Sequence, residues 1–354
     1  MIMRRILLSI MLAACLAACS QREPAGTTVL SYASPYPPTH PFGRADVAWI
    51  KHVEQASGGS IRIKPFWSGS LLSSDQSMTE VRHGVADIGL ITPIYTRGGV
   101  HMLRVQAGFY GGVQTIQDQV AVYDCLAARF PEFGKELAGL HVLAVQGGNF
   151  PGVLTRNRPI RSLADFKGLR LRAQSDSIDV LRQLGADPVN MPMGEVYSAL
   201  AKGVIDGVVA PADTIKSLHF SEVASYFTPI HFSRGSYPAR AMSDKAWRRL
   251  TPEQQTLLMQ SRRVWEDALN SEILKAEAAG IEFGRSHGMT FEPFPAAEQA
   301  RFDQLYNQYA LEQARRLRDV GLDGVPVVEA AHRLIVNKQK TGAITCDAPG
   351  EHAS

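Results

Sequence analysis

Residues 158–213 read RPIRSLADFKGLRLRAQSDSIDVLRQLGADPVNMPMGEVYSALAKGVIDGVVAPAD, and the pattern they carry decides the fold. Leu169-Arg170-Leu171-Arg172 alternates apolar and basic residues with the period of a strand, so Arg170 and Arg172 share one face while Leu169 and Leu171 turn to a core. Ser175 is placed to cap a helix that carries Ile178, Leu181 and Leu184 on one side. That helix stops at Gly185, a residue that tolerates the left-handed conformation after a helix end. A second helix over 195–202 ends at Gly203. Val204 to Val209 is a mostly apolar run that reads as a buried strand, and Pro211 turns the chain out of it. The order strand, helix, short strand, helix, strand is that of an α/β unit with parallel strands.

Such a unit binds its ligand beyond the carboxyl ends of its strands, and Arg172 stands at the end of one of them. The same run resembles the signature segment of the solute-binding proteins of tripartite ATP-independent periplasmic (TRAP) transporters, the dicarboxylate-binding DctP family. The matching pieces are Arg158-Pro159-Ile160, Gly168 to Arg172, Gly185 to Val189, Glu195 to Leu200 and Gly203 to Gly207, five in the family's order. Weaker likeness extends over about residues 28–320. The resemblance implies a two-domain α/β periplasmic binding protein fold, type II-like, with the ligand cleft between the domains and one long helix spanning both. It implies domain I over 29–146 plus about 235–280, and domain II over 147–234 plus about 281–345.

The 354 residues suffice for two such domains, and 45% hydrophobic with 20% charged residues is an ordinary globular balance. The chain opens with Arg4 and Arg5, an apolar run from Ile6, and Leu16-Ala17-Ala18-Cys19, which resembles a bacterial lipoprotein cleavage box. This reads as a signal peptide over 1–18, lipidation at Cys19 and a polar tether over 19–28, which place the protein in the periplasm, anchored to a membrane through its lipid. A plain secretory peptide cleaved nearby would export the chain equally. Loss of Arg4 and Arg5 lowers the formal charge from +3 to +1, which points away from nucleic acid as a partner. With Cys19 lipidated, Cys125 and Cys346 are the one remaining pair, and an oxidising compartment permits their disulfide without requiring it. Residues 346–354 form a small polar tail.

Several other segments bear on the site. Val29 to Ala33 reads as the first strand, and the loop after it brings Ser34, Tyr36 and His40 toward the same crevice, with His40 also suited to capping the helix that begins near Phe42. Val85 to Thr92 reads as a strand whose last residue, Thr92, faces the cleft. Gly147 to Gly152 lacks the spacing of a phosphate loop and reads as a hinge or pocket wall after the strand Leu140–Val145. Tyr226 to Arg234 reads as a strand with Phe232 near its end. Thr251 to Gly280 forms one long amphipathic helix, capped by Thr251-Pro252-Glu253 and ended by Gly280, and fits the spanning helix that the resemblance implies. Ala296 to Val320 closes the fold.

No Gly-x-Ser-x-Gly, His-Glu-x-x-His, Cys-x-x-Cys or Walker sequence occurs, so the chain carries no recognisable cofactor or metal motif and the weight falls on binding without turnover. Arg172 is the residue to single out, because a guanidinium fork matches a carboxylate with two parallel bonds and keeps its charge in any cleft. The resemblance gives it that role. Where many members of the family carry Gln-Glu-Asn-Pro, this chain has Val208-Val209-Ala210-Pro211, so Ala210 replaces a ligand-binding asparagine. The glutamate and tryptophan with which one branch holds a metal and a keto acid are missing too. Gly152 falls where sialic-acid-binding members have a second basic residue, and Met193 where a pocket aromatic stands. These departures point to a monocarboxylate with an apolar or aromatic body, passed to a TRAP membrane permease. The competing readings are an enzyme that holds a substrate carboxylate on Arg172 while His40 or Glu195 moves a proton, and a sensing subunit that docks a receptor.

Overall fold

The computed structural model describes residues 26–96 and 98–346. The signal peptide, Cys19, most of the tether, and tail residues 347–354 lie outside the described residues. The strands in chain order are β1 (Thr28–Ala33), β2 (Ile61–Phe66), β3 (Ile88–Leu90), β4 (Leu140–Gln146), β5 (Gly152–Thr155), β6 (Arg170–Arg172), β7 (Asp187–Val189), β8 (Gly207–Ala210), β9 (Tyr226–Thr228), β10 (Tyr237–Ser243) and β11 (Thr290–Phe291). They form two sheets, ordered β2-β1-β3-β10-β4 and β11-β9-β5-β8-β6-β7.

The central unit takes the form its sequence foretells. β6 pairs in parallel with β7 on one side and β8 on the other. The intervening helices are Ile178–Gln183 and Met193–Ala201. Each sheet also holds one strand that runs against its neighbours: β10 is antiparallel to β3 and β4, and β5 is antiparallel to β8 and β9. These strands exist because the chain changes sheet twice, through residues 147–151 and through residues 229–236. Both crossings therefore lie between the sheets, where a cleft opens.

A third crossing is made by one helix, Arg262–Ser286. Its first half buries Trp265, Leu269 and Ile273 in the core formed by Trp49, Leu30 and Leu143. Its last turns pack Ile281 and Phe283 into the core of the second sheet. Sequence reasoning had the helix begin at Thr251 and stop at Gly280. Thr251 does cap a helix, with Gln254 completing the capping box, but that helix ends at Gln260 and the spanning one begins at Arg262. Gly280 is no terminator. A Cβ there would lie 2.1 Å from the Ala212 carbonyl oxygen, so the glycine lets the helix press against the segment after β8.

Two further expectations need correction. β9 ends at Thr228, before Pro229, so Phe232 lies in the crossing and not at a strand end. Residues 281–345 do not all belong with the second sheet. Ala296–Arg316 places Phe302 and Tyr306 in that sheet's core, but a helix over Val325–Thr341, which was not foreseen, packs Val327, Ala331, Leu334 and Ile335 beside Val122 and Leu126 on the first side. Cys346 then forms a disulfide with Cys125 of the helix Ile116–Arg129, 221 residues away in sequence. Replacing both cysteines with serine is expected to lower stability by about 2–4 kcal/mol. The loss should appear first as faster amide exchange over 325–341, and unchanged exchange there would mean that the apolar face alone holds the helix.

Candidate functional site

A cavity, about 690 Å³ of empty space when the open solvent at its mouth is included, lies between the sheets where the strand ends and both crossings meet. Its apolar lining is Phe42, Leu90, Met193, Val209, Leu218 and Ile273, drawn from both sides of the cleft and the spanning helix. The polar groups fall into two clusters at different elements.

The first cluster centres on Arg172, the last residue of β6 and fully buried. Its Nε donates to the Met191 carbonyl at 3.0 Å, Nη1 to the Val209 carbonyl at 3.4 Å, and Nη2 to the Tyr95 hydroxyl at 2.5 Å. No aspartate or glutamate among the described residues forms an ion pair with it. A buried charge met only by neutral acceptors is unfavourable, and an anion brought to it would relieve that cost. Tyr95 belongs to the short turn Pro93–Tyr95 after β3, so its bond to Arg172 joins the two sides of the cleft. Ser175, expected as a helix cap, instead donates its hydroxyl to the Ile94 carbonyl at 3.3 Å across the same gap. Tyr237 lines the cavity as well and accepts a bond from the Gln146 side-chain amide at 2.8 Å. Burial pushes the Tyr237 hydroxyl up to about 12, so it stays protonated.

The second cluster is built by the crossings and the spanning helix. Arg234, from the second crossing, donates to the Asn149 carbonyl at 3.1 Å. It lies over Gly148, where a Cβ would approach the guanidinium carbon to 2.5 Å, so a side chain at this position would displace the arginine. The Asn149 side-chain amide donates to the Ile273 carbonyl at 2.8 Å and to Glu277 at 3.2 Å, and the Asp213 backbone N–H donates to the same Glu277 oxygen at 3.0 Å. Asp213 itself lines the cavity. Burial, and then the charge of Glu277, push its carboxyl up to about 7, against the opposing pull of Arg234 and Asn149.

Of the residues singled out in the sequence, Tyr36, His40, Thr92 and Met193 line the cavity; Arg172 does not itself line it, although its partners Tyr95 and Val209 do. Four others do not line it either. Ser34 is buried with its hydroxyl accepting from the Tyr36 backbone N–H at 3.3 Å. Gly152 sits in β5 opposite Ala210, and a Cβ on it would lie 2.6 Å from the Thr228 carbonyl oxygen, so packing explains that glycine. Ala210 is buried in the core while its neighbours Val209 and Pro211 face the cavity, because successive strand residues point to opposite sides. Phe232 packs edge-on against Phe302 at 4.6 Å in the second core. His40 accepts the Phe42 backbone N–H at 3.2 Å on its Nδ1, as a cap does, and stacks on Tyr36 at 4.3 Å. Burial lowers its pKa to about 3, which makes it a poor proton acceptor. His40 nevertheless lines the cavity, whereas Glu195 is exposed and apart from it. Tyr95, Gln146, Asp213, Arg234 and Tyr237 were not foreseen, while Asn149 lies in the segment 147–152 read as a hinge or pocket wall. The sequence did locate the crossing at Arg234, which was the available signal for that residue.

A family model described as DctP, bacterial extracellular solute-binding protein, family 7, matches residues 32–316. A solute-binding protein of Roseobacter denitrificans is 33% identical over 143 residues, which are 40% of this chain and 44% of that relative, so the match spans less than half of its length. Among solved structures, a TRAP solute-binding protein of Rhodoferax ferrireducens in complex with copurified benzoate superposes with a TM-score of 0.79 at 24% identity, covering 90% of this chain and 100% of that one. A marine metagenome TRAP solute-binding protein specific for aromatic acid ligands, in complex with 3-hydroxybenzoate, gives a TM-score of 0.77 at 25% identity, covering 88% and 99%.

Proposed function

The chain belongs to the DctP family of bacterial extracellular solute-binding proteins, family 7, and on that footing we propose that it is the extracytoplasmic receptor of a TRAP transporter, which closes on a small organic acid and delivers it to a membrane permease. The observation that carries this reading is Arg172, a buried guanidinium with neutral acceptors only, two of whose partners, Tyr95 and Val209, line the cavity. A ligand carboxylate is the partner that its planar fork suits. The apolar lining then favours a monocarboxylate with an apolar or aromatic body. The benzoate and 3-hydroxybenzoate complexes of the two similar proteins support that class for this chain too. We divide the molecule at its crossings into a lobe around the first sheet and a lobe around the second, with the spanning helix shared. No helix among the described residues is long and apolar enough to cross a membrane, and lipidation at Cys19 supplies the anchor.

One experiment tests the receptor and its anchor together. Protein extracted from its native membrane is analysed intact and after denaturation by mass spectrometry. The expected result is a start at diacylated Cys19 and release of a small carboxylic acid. An unmodified start elsewhere would overturn the anchor, and release of a neutral or cationic ligand would overturn the acid.

A further inference from the structure

We propose that the acid selected by this pocket carries a hydroxyl group on its body, away from the carboxylate, and that Asp213 is the acceptor that reads it. The proposal rests on the reading of the cavity as an acid site.

Asp213 begins the short helix Asp213–Ser217, directly after the turn that Pro211 imposes on the end of β8. It is only 7% exposed, and the surface it retains is a lining of the cavity. Above about pH 7, where the Asp213 carboxyl is ionised, its two oxygens offer about four acceptor positions. Among the described residues no side-chain hydrogen bond to the Asp213 carboxylate is formed, since the neighbouring Asn149 amide donates to the Ile273 carbonyl and to Glu277, and no cation lies within ion-pair distance of it. Glu277 beside it is differently placed, since one of its oxygens already receives the Asp213 backbone N–H and the Asn149 amide. Free acceptor capacity therefore faces the ligand at Asp213 and not at Glu277.

An acid with a wholly apolar body would seal that carboxylate away from water without replacing its hydrogen bonds, and a site built this way rejects a ligand that lacks the donor. The donor is a hydroxyl and not an ammonium because Arg234 lines the same space and already opposes the Asp213 charge. A second cation would meet that guanidinium and gain little. A hydroxyl donates one bond and brings no charge.

The test is a calorimetric series with benzoate, its three monohydroxy isomers and the three corresponding methyl ethers, on wild type and Asp213→Asn. In wild type, at least one hydroxybenzoate is expected to bind about tenfold or more tighter than both benzoate and its own ether, since a hydrogen bond to a charged group is worth that much. In Asp213→Asn, benzoate should bind more tightly, because a negative charge has left the pocket, and the hydroxyl advantage should collapse. Equal binding of benzoate and all three hydroxy isomers by wild type would overturn the assignment without needing the variant. Persistence of the advantage in Asp213→Asn would overturn the role of Asp213. If benzoate binds but the hydroxyl adds nothing, only this inference falls. If no member of the series binds wild type, the aromatic-acid reading falls with it.

Discussion

Arg172→Ala is expected to weaken binding of a carboxylate ligand by about thirtyfold or more, because removing one member of a buried, hydrogen-bonded charge pair costs roughly 2–5 kcal/mol and each 1.4 kcal/mol is about tenfold. The guanidinium is fully buried and its nitrogens are held by Met191, Val209 and Tyr95, so it is already oriented before a ligand arrives. Little ordering entropy then remains to offset the new bonds. Arg172→Lys keeps a positive charge but replaces the planar fork with a point charge on a flexible stem, so it should recover only part of the loss. Tyr95→Phe separates two roles of the same cluster. It removes the hydroxyl that accepts from Arg172 across the cleft, and should weaken closure without removing the charge that meets the ligand. The measurement is calorimetric titration of these variants with an acid and with its amide. If Arg172→Ala binds the acid as tightly as wild type, or if wild type does not distinguish acid from amide, the clamp is assigned to the wrong residue.

The parts of the molecule that were legible in the sequence are those fixed by neighbours in the chain. Alternation at 169–172, glycines at 185 and 203 and a proline at 211 dictate the βαβ unit locally, and the strand-end rule then selects Arg172 without knowledge of any partner. Ala210 and Gly152 show the limit of that rule, since a shift of one residue along a strand exchanges cavity for core. Gly280 shows a different limit. Its role depends on the Ala212 carbonyl, which reaches it only after folding, so a residue that commonly ends helices was read as ending this one. The second cluster was not legible as a cluster. Arg234, Asp213 and Glu277 come from three elements, and nothing in the spacing of one announces the others. The helix Val325–Thr341 did carry a signal, with Pro326 in its first turn and apolar residues at 327, 328, 331, 334 and 335 at helical spacing.

A buried cluster assembled from three distant elements should have the largest effect on stability. Asp46 lies on the helix Pro41–Ala56 and is fully buried. Its Oδ1 accepts from Arg240 Nε on β10 at 2.8 Å and from Trp265 Nε1 on the spanning helix at 2.7 Å. The Arg240 guanidinium also stands over the Trp265 ring, 4.3 Å from its centre. Burial works against the Arg240 charge, and Asp46 more than offsets it, so the arginine pKa is raised. Asp46→Ala would leave a cation in the core with neutral neighbours, the Gln146 side chain, the Ala239 carbonyl, the Tyr32 hydroxyl and the Trp265 face. Breaking a buried pair in this way costs about 3–5 kcal/mol, whereas replacing both partners with apolar groups is often neutral or stabilising. Asp46→Ala should therefore destabilise strongly in urea. Asp46→Asn should cost less, because it keeps an acceptor for Trp265, and the double variant Asp46→Leu/Arg240→Met should recover most of the loss. The pair also reaches the cavity. Arg240 donates to Gln146 at 3.4 Å and Gln146 donates to Tyr237, so loss of Arg240 frees a side chain that positions a cavity hydroxyl. In the double variant, recovered stability with ligand affinity still reduced would separate these two consequences. A cost below about 1 kcal/mol for Asp46→Ala would show that the Arg240 charge is met from elsewhere, and the pair would then be no anchor between the first helix, β10 and the spanning helix.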